Sequence, residues 1–309
     1  PASAAPITVA DVEMVAQPLL PPVHHSFLPA HVPAPSISEP AVARPAAALR
    51  QTHLWHIFSG PTHPHCMSAK SADLGLATTN VDIKVDAASD MSNPVVVQAI
   101  EDGMRLVSKP KLCIDVPCCL FSVLRFKKSG SRPLRRRSTN GTIDDLTPAE
   151  ALLVAESDAF VAAAARLAKL AVELGGSFII ENPADMGGAA SSNEHFVNMW
   201  ADHWPLWKED GIVQLAASTG AVWATFPQCA LGGSFQKWTT VLVSPDLTPL
   251  ARHLNTLQCS HSQHAKHASG LDDDGQSLSQ QAAAYPPRMN MLWAHAFANI
   301  ESVTKEAGL

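Results

Sequence analysis

The chain has 309 residues, enough for one large α/β domain or two small ones, and its 46% hydrophobic and 16% charged residues exclude a wholly disordered or fibrous protein. A net charge of -6 excludes a generally basic nucleic-acid coat, so any DNA or RNA would be held by a local patch. No apolar run approaches the ~20 residues of a membrane span, and six unevenly spread cysteines (66, 113, 118, 119, 229, 259) suit a reducing, intracellular compartment rather than a disulfide framework.

Residues 1–50 are dominated by Pro and Ala and keep no apolar periodicity, which predicts a disordered arm or linker. The order of a secretory signal is missing there, and a first residue Pro1 is expected of a segment of a longer polypeptide. Residues 51–309 read as one domain in which short apolar runs alternate with helical stretches, the pattern of βα units. Leu54 to Phe58 is a buried strand ended by Ser59-Gly60-Pro61. Residues 66–75 suit a helix closed by Gly75. Val81-Asp82-Ile83 is expected as a second strand, 94–107 as a second helix, and Leu112 to Val116 as a strand running into Pro117-Cys118. Pro148 through Leu174 is the longest helix, with Thr147 as N-cap and Gly175-Gly176 as its stop. Ser177 to Ile180 is a strand entering Glu181-Asn182-Pro183, residues 200–208 look helical, and Val213–Ala217 with Thr239–Val243 are expected as a closing hairpin.

Three signals thus fall at carboxyl ends of strands: Phe58-Ser59-Gly60, Pro117-Cys118 and Glu181-Asn182-Pro183. In an open parallel sheet ligands bind at that edge, because loops and helix N-termini converge there. A Cys118 thiolate can attack an electrophilic carbon if a cation lowers its pKa; the bland alternative is a small buried hydrophobe. Glu181, desolvated at the end of an apolar strand, holds a proton it can donate to a ring nitrogen, or else serves as a capping or salt-bridged Glu.

Together these residues carry a resemblance. Pro117-Cys118-x-x-Phe121-Ser122 resembles the catalytic Pro-Cys motif of DNA cytosine-5 methyltransferases, and Glu181-Asn182-Pro183 their Glu-Asn-Val motif. Phe58, Ser59 and Gly60 stand where that family has its Phe-x-Gly turn, and Asp82 and Asp90 are similar to its two acidic cofactor positions. The likeness covers roughly residues 54–245, with an echo at Tyr285-Pro286. The arrangement also resembles methyltransferase-like segments of algal and protist retroelement (retrotransposon) polyproteins. It implies a Rossmann-like, seven-stranded, mostly parallel sheet with helices on both faces and an antiparallel last strand. It further implies S-adenosylmethionine-dependent transfer to cytosine C5 in DNA, in a nuclear setting, with Cys118 adding to C6 and Glu181 contacting N3. Val116 replaces the family's proline, and Gln236-Lys237-Trp238-Thr239-Thr240 stands where it has Gln-x-Arg-x-Arg, so Trp238 and Thr240 fall on the arginine positions. Lys237 or Arg125 would then supply the cation. A decayed nucleic-acid-binding module and an RNA methyltransferase remain the alternative readings.

Arg125, Lys127, Lys128, Arg132, Arg135, Arg136 and Arg137 crowd one stretch of an acidic chain. They read as a phosphate-pairing loop, with Gln236 and Lys237 beside it, or as a solvated loop or localisation signal. Cys259-x-His261-x2-His264, with His267 beyond and Cys229 thirty residues earlier, can bind zinc, or is a His-rich surface loop. Residues 244–285 read as a small Cys/His-containing insertion, and Asp272-Asp273-Asp274-Gly275 as a turn rather than a calcium loop. Trp200, Trp204 and Trp207 are spaced as one helical face, read as core packing.

Overall fold

A computed structural model describes residues 52–127, 131–187 and 200–298, apart from 263, 265, 268, 269, 273 and 276, and all of them belong to the unit that begins at Arg44. The expected Pro/Ala arm and Lys128 lie outside the described residues, as does Asp273 of the acidic turn.

Strand β1 (His53–Ile57), helix α1 (Met67–Asp73), β2 (Ala77–Val81), α2 (Pro94–Arg105) and β3 (Lys111–Asp115) alternate as the apolar runs require. Asn93 caps α2 by accepting the Val95 amide, and Pro94 occupies the first turn, where no amide donor is needed. A short antiparallel ribbon, β4 (Arg135–Arg136) with β5 (Gly141–Thr142), precedes α3 (Pro148–Glu173). Thr147 and Glu150 close a reciprocal capping box at the start of α3. At its end Gly175, with φ +70, and Gly176 donate to the carbonyls of Val172 and Ala171, the paired bonds that satisfy a helix C-terminus. Strand β6 (Ser177–Pro183) follows at once. Then come α4 (Asp210–Thr219), β7 (Val222–Pro227), β8 (Phe235–Gln236), β9 (Trp238–Val243), α5 (Thr248–Thr256), β10 (Lys266–His267), α6 (Leu278–Gln281) and α7 (Pro287–Phe297).

Six strands form one mixed, mostly parallel sheet in the order β2-β1-β3-β6-β9-β7, where β9 runs antiparallel to both neighbours. The fold is α/β. One cluster of buried residues, with Ile57, Leu112, Ile114 and Phe178, packs under α2, α3 and α4; the opposite cluster, with Leu54, Ile179, Val241 and Phe226, packs under α5 and α7. Both faces are therefore covered, as central parallel strands require.

Three element assignments need correction. Val213–Ala217 is not a strand but part of α4, whose buried Ile212 and Leu215 lie three apart; the pairing partner of β9 is β7. Residues 200–208 form turns and a short 3-10 segment at Leu206–Lys208 instead of a helix, because Pro205 interrupts them. The second strand ends at Val81, where the Asp82 side chain turns to accept backbone amides. In addition, residues 248–256, expected within a small insertion, are helix α5, whose Leu250 and Leu254 cover the sheet.

Candidate functional site

Side chains alternate along a strand, so residues two apart share a face. Leu54, Cys113 and Ile179 are apolar members of one face, and two residues further on, at the carboxyl ends, come His56, Asp115 and Glu181. Thr239 precedes Val241 on the antiparallel β9 and joins the same edge. The sheet register sets Asp115 opposite Glu181.

This buried polar edge is densely hydrogen-bonded. The His56 Nε2 lies 2.7 Å from the Asp115 carboxylate and its Nδ1 3.2 Å from Ser68 Oγ, whose hydroxyl donates to Asn80. The Cys113 thiol donates to Asp115 over 3.6 Å. Thr239 donates to Glu181 at 2.9 Å and accepts from the Gln228 amide at 2.8 Å. Lys237 Nζ stands 3.8 Å from Glu181 and 5.8 Å from the centre of the Tyr285 ring. Burial, opposed by Lys237 and reinforced by Asp115, raises the pKa of Glu181. The Tyr285 hydroxyl is buried beside Asp115 and Glu181; burial and the charges of these two carboxylates hold its pKa well above the ordinary phenol value.

Cys118 begins a short 3-10 turn directly after β3, with Pro117 as the preceding cap. Asn182, fully buried on β6, donates to the carbonyl of Val116 at 2.7 Å and so fixes the approach to Pro117-Cys118. Cys118 reaches solvent, yet protein surrounds its thiol closely enough that burial raises the thiol pKa. Lys237 lowers that pKa and Glu181 raises it, so both charges act on this sulfur. Glu181 and Lys237 stand 3.8 Å apart, and both lie near enough to Cys118 for their charges to act on its thiol. Arg125 instead lies against Cys119, donating to the carbonyls of Cys119 and Arg132.

The turn after β1 is strained: Phe58, a bulky residue, has φ +59. Its ring packs edge-on against Phe160 at 5.0 Å. Ser59 donates to the Gly60 carbonyl at 3.1 Å, and the Gly60 amide donates to Asp82 at 2.8 Å, which joins two of the expected cofactor segments. A Cβ added at Gly60 would meet no heavy atom within 4 Å, so open space faces this turn. Asp90 accepts from the amide and hydroxyl of Ser92 at the entry to α2.

Much of the basic stretch is engaged within the protein. Arg132 pairs with Glu150 and Asp145, buried Arg135 with Asp158 and Glu209, Arg136 with Asp202, and Arg137 with Asp185. The expectation of a loop whose arginines stand free for phosphates is therefore revised for these four. The Gln236 side chain lies outside the described ones. Trp204 Nε1 donates to Glu209 and Trp207 Nε1 to the Pro183 carbonyl, so these tryptophans buttress the fold. A groove of about 590 Å³ lined by Arg135, Asp158, Trp204 and Glu209 includes none of the residues at the carboxyl edge.

Cys229, Cys259, His261 and His264 converge, with one donor atom of each lying within 4.8 Å of all the others. Burial and the neighbouring Cys259 push the Cys229 thiol up to about 11. His56, Cys113 and Asp115 form a second tight group, but its donors are already bonded to one another. Sequence reasoning missed His56, Asp115, Gln228 and the role of Thr239. The available signal was a polar side chain two residues beyond a buried one, at the carboxyl end of an otherwise apolar strand.

In comparisons with known proteins, no family model matches this chain and no curated protein matches it.

Proposed function

We propose that this domain transfers a methyl group from S-adenosylmethionine to C5 of cytosine in DNA. The observation that carries the reading is the position of Cys118 and Glu181 at the carboxyl ends of the adjacent parallel strands β3 and β6, with Lys237, just before the antiparallel β9, 3.8 Å from Glu181. The strand order supports it too: an antiparallel β9 between β6 and β7 is similar to the Rossmann-like methyltransferase sheet, with one strand fewer than seven.

Cys118 gives up its proton and its sulfur adds to C6 of the base. The raised pKa of Glu181 keeps a proton available for N3, which takes up the charge pushed into the ring. Lys237, the cation acting on both groups, stabilises the thiolate. Asn182 holds the Val116 carbonyl, and with it the nucleophile's loop, in place. The donor supplies an electrophilic methyl on a sulfonium. The open turn at Phe58-Ser59-Gly60, pinned by Asp82, would hold its methionine and ribose portions. C5 would take the methyl, the sulfonium leaving as a neutral thioether; water then takes the C5 proton, N3 returns its proton to Glu181, and the C6–S bond breaks to release the Cys118 thiolate. A base paired in a duplex must first be flipped out, at a cost of a few kcal/mol.

Labelled S-adenosylmethionine should transfer its methyl to cytosine-containing DNA, and 5-fluorocytosine DNA should trap a covalent adduct. Cys118→Ala should abolish both. No label in any of several DNA and RNA substrates would overturn the reading; label in RNA alone would reassign the substrate. A binding module without catalysis is the second reading, favoured by Thr240, whose hydroxyl is bonded to Thr225 where the family has an arginine. It would bind nucleic acid salt-dependently and indifferently to Cys118→Ala.

A further inference from the structure

We infer that Cys229, Cys259, His261 and His264 bind one zinc ion, and that this ion braces the segment presenting Lys237 and Thr239 to Glu181. Cys229 is buried in the 3-10 turn Gln228–Leu231 that follows β7, whereas the other three lie in the loop after α5. The tertiary fold alone brings them together. Cys259 Sγ is 3.3 Å from His264 Nε2 and 3.8 Å from His261 Nδ1, and all four donor atoms fall within 4.8 Å of one another.

A tetrahedral ion with Zn–S near 2.3 Å and Zn–N near 2.0 Å needs donors about 3.3–3.8 Å apart. The two measured separations already meet that requirement, and since all four donors lie within 4.8 Å of one another no pair need close by more than about 1.5 Å. Two sulfurs and two imidazoles are the donor set of a closed, structural zinc site, and they exclude the oxygen-seeking calcium and magnesium. The histidines would bind through different nitrogens, Nδ1 of His261 and Nε2 of His264, as their distances to Cys259 indicate.

The consequence reaches the carboxyl edge through one residue. Gln228, next to Cys229, donates its side-chain amide to Thr239 and its backbone amide to the Lys237 carbonyl at 2.9 Å, and Thr239 donates to Glu181. An ion at Cys229 thus fixes the start of the turn on which this relay rests.

Elemental analysis of the full chain, purified in reductant, should find one zinc per chain. Replacement by cobalt should give thiolate-to-metal charge-transfer bands and the strong d–d bands of a tetrahedral ion. Cys259→Ser and His264→Ala should each weaken zinc binding by more than ~100-fold, beyond what outer-shell changes cost. Cys66→Ala, outside the cluster, should retain the ion. Hydrogen exchange over 228–240 should speed up when the ion is stripped, whether or not methyl transfer is ever detected. A folded wild-type chain with no zinc above the buffer blank and no cobalt spectrum overturns the inference. So does a Cys229–Cys259 disulfide in reductant, or zinc that survives in the Cys259→Ser/His264→Ala double variant.

Discussion

Lys237 opposes the rise in pKa that burial imposes on both Cys118 and Glu181, and this makes it the residue through which the site's pH behaviour can be tested. The thiolate is the reactive form, and a raised pKa means its fraction is small near neutrality and grows as pH rises. Alkylation of Cys118 by iodoacetamide, followed in a Cys119→Ala background, should therefore be slower at pH 7 than that of a free thiol and should still be accelerating above pH 9. Lys237→Gln removes the cation that lowers the pKa, so the profile should move to higher pH. An unmoved profile would separate Lys237 from the nucleophile. Asn182→Ala acts differently, leaving the buried Val116 carbonyl without its donor at a cost of about 1–3 kcal/mol. Denaturant unfolding would measure that loss, and the same variant should slow methyl transfer by loosening Pro117-Cys118.

Helix α3 shows how local chemistry delimits an element. Thr147→Ala should cost about 1 kcal/mol in urea unfolding, since the Glu150 amide loses its acceptor. Gly176→Ala is the more damaging change: its Cβ would sit 2.0 Å from the Pro110 carbonyl oxygen, a backbone atom that cannot swing aside. A loss of about 3 kcal/mol or more is expected from that overlap. The same helix start also titrates. Hydrogen bonds from Arg132, then from Thr147, lower Glu150 to about 2. Because the folded value lies below the ordinary one of 4.5, this contribution is present above pH 4.5 and disappears as pH falls toward 2. Melting temperatures measured across that window should fall more steeply for wild type than for Glu150→Gln.

Across the whole molecule, a ligand that binds only the folded state raises stability by mass action. S-adenosylhomocysteine at a hundredfold excess over its Kd should add about 2.7 kcal/mol, or roughly 5–10 °C in melting temperature for a domain of this size. Asp82→Asn, which keeps only one of the two oxygens that accept from the Gly60 and Lys84 amides and loses the charge, should shrink that shift. A melting curve unchanged by the ligand would count against the pocket beside Phe58. The sheet order that sets the Phe58-Ser59-Gly60 turn at this edge was only partly legible. Helix α4 stands where a strand is expected because Val213 to Ala217 is apolar enough for either state, and the helical period is decided only with Gly220 closing it at φ +69.

The chain sequence alone was sufficient for features whose causes act within a few residues: both ends of α3, the alternation that buries β1, β3 and β6, and the placing of Cys118 and Glu181 at strand ends. Spatial neighbours are another matter, because a charge or hydrogen-bond donor selects its partner by distance in space. The tertiary structure decided that Arg132, Arg135, Arg136 and Arg137 turn to Glu150, Asp158, Asp202 and Asp185. It also decided that Lys237 faces Glu181, and that Cys229 joins Cys259 and two histidines from a loop beyond the next helix.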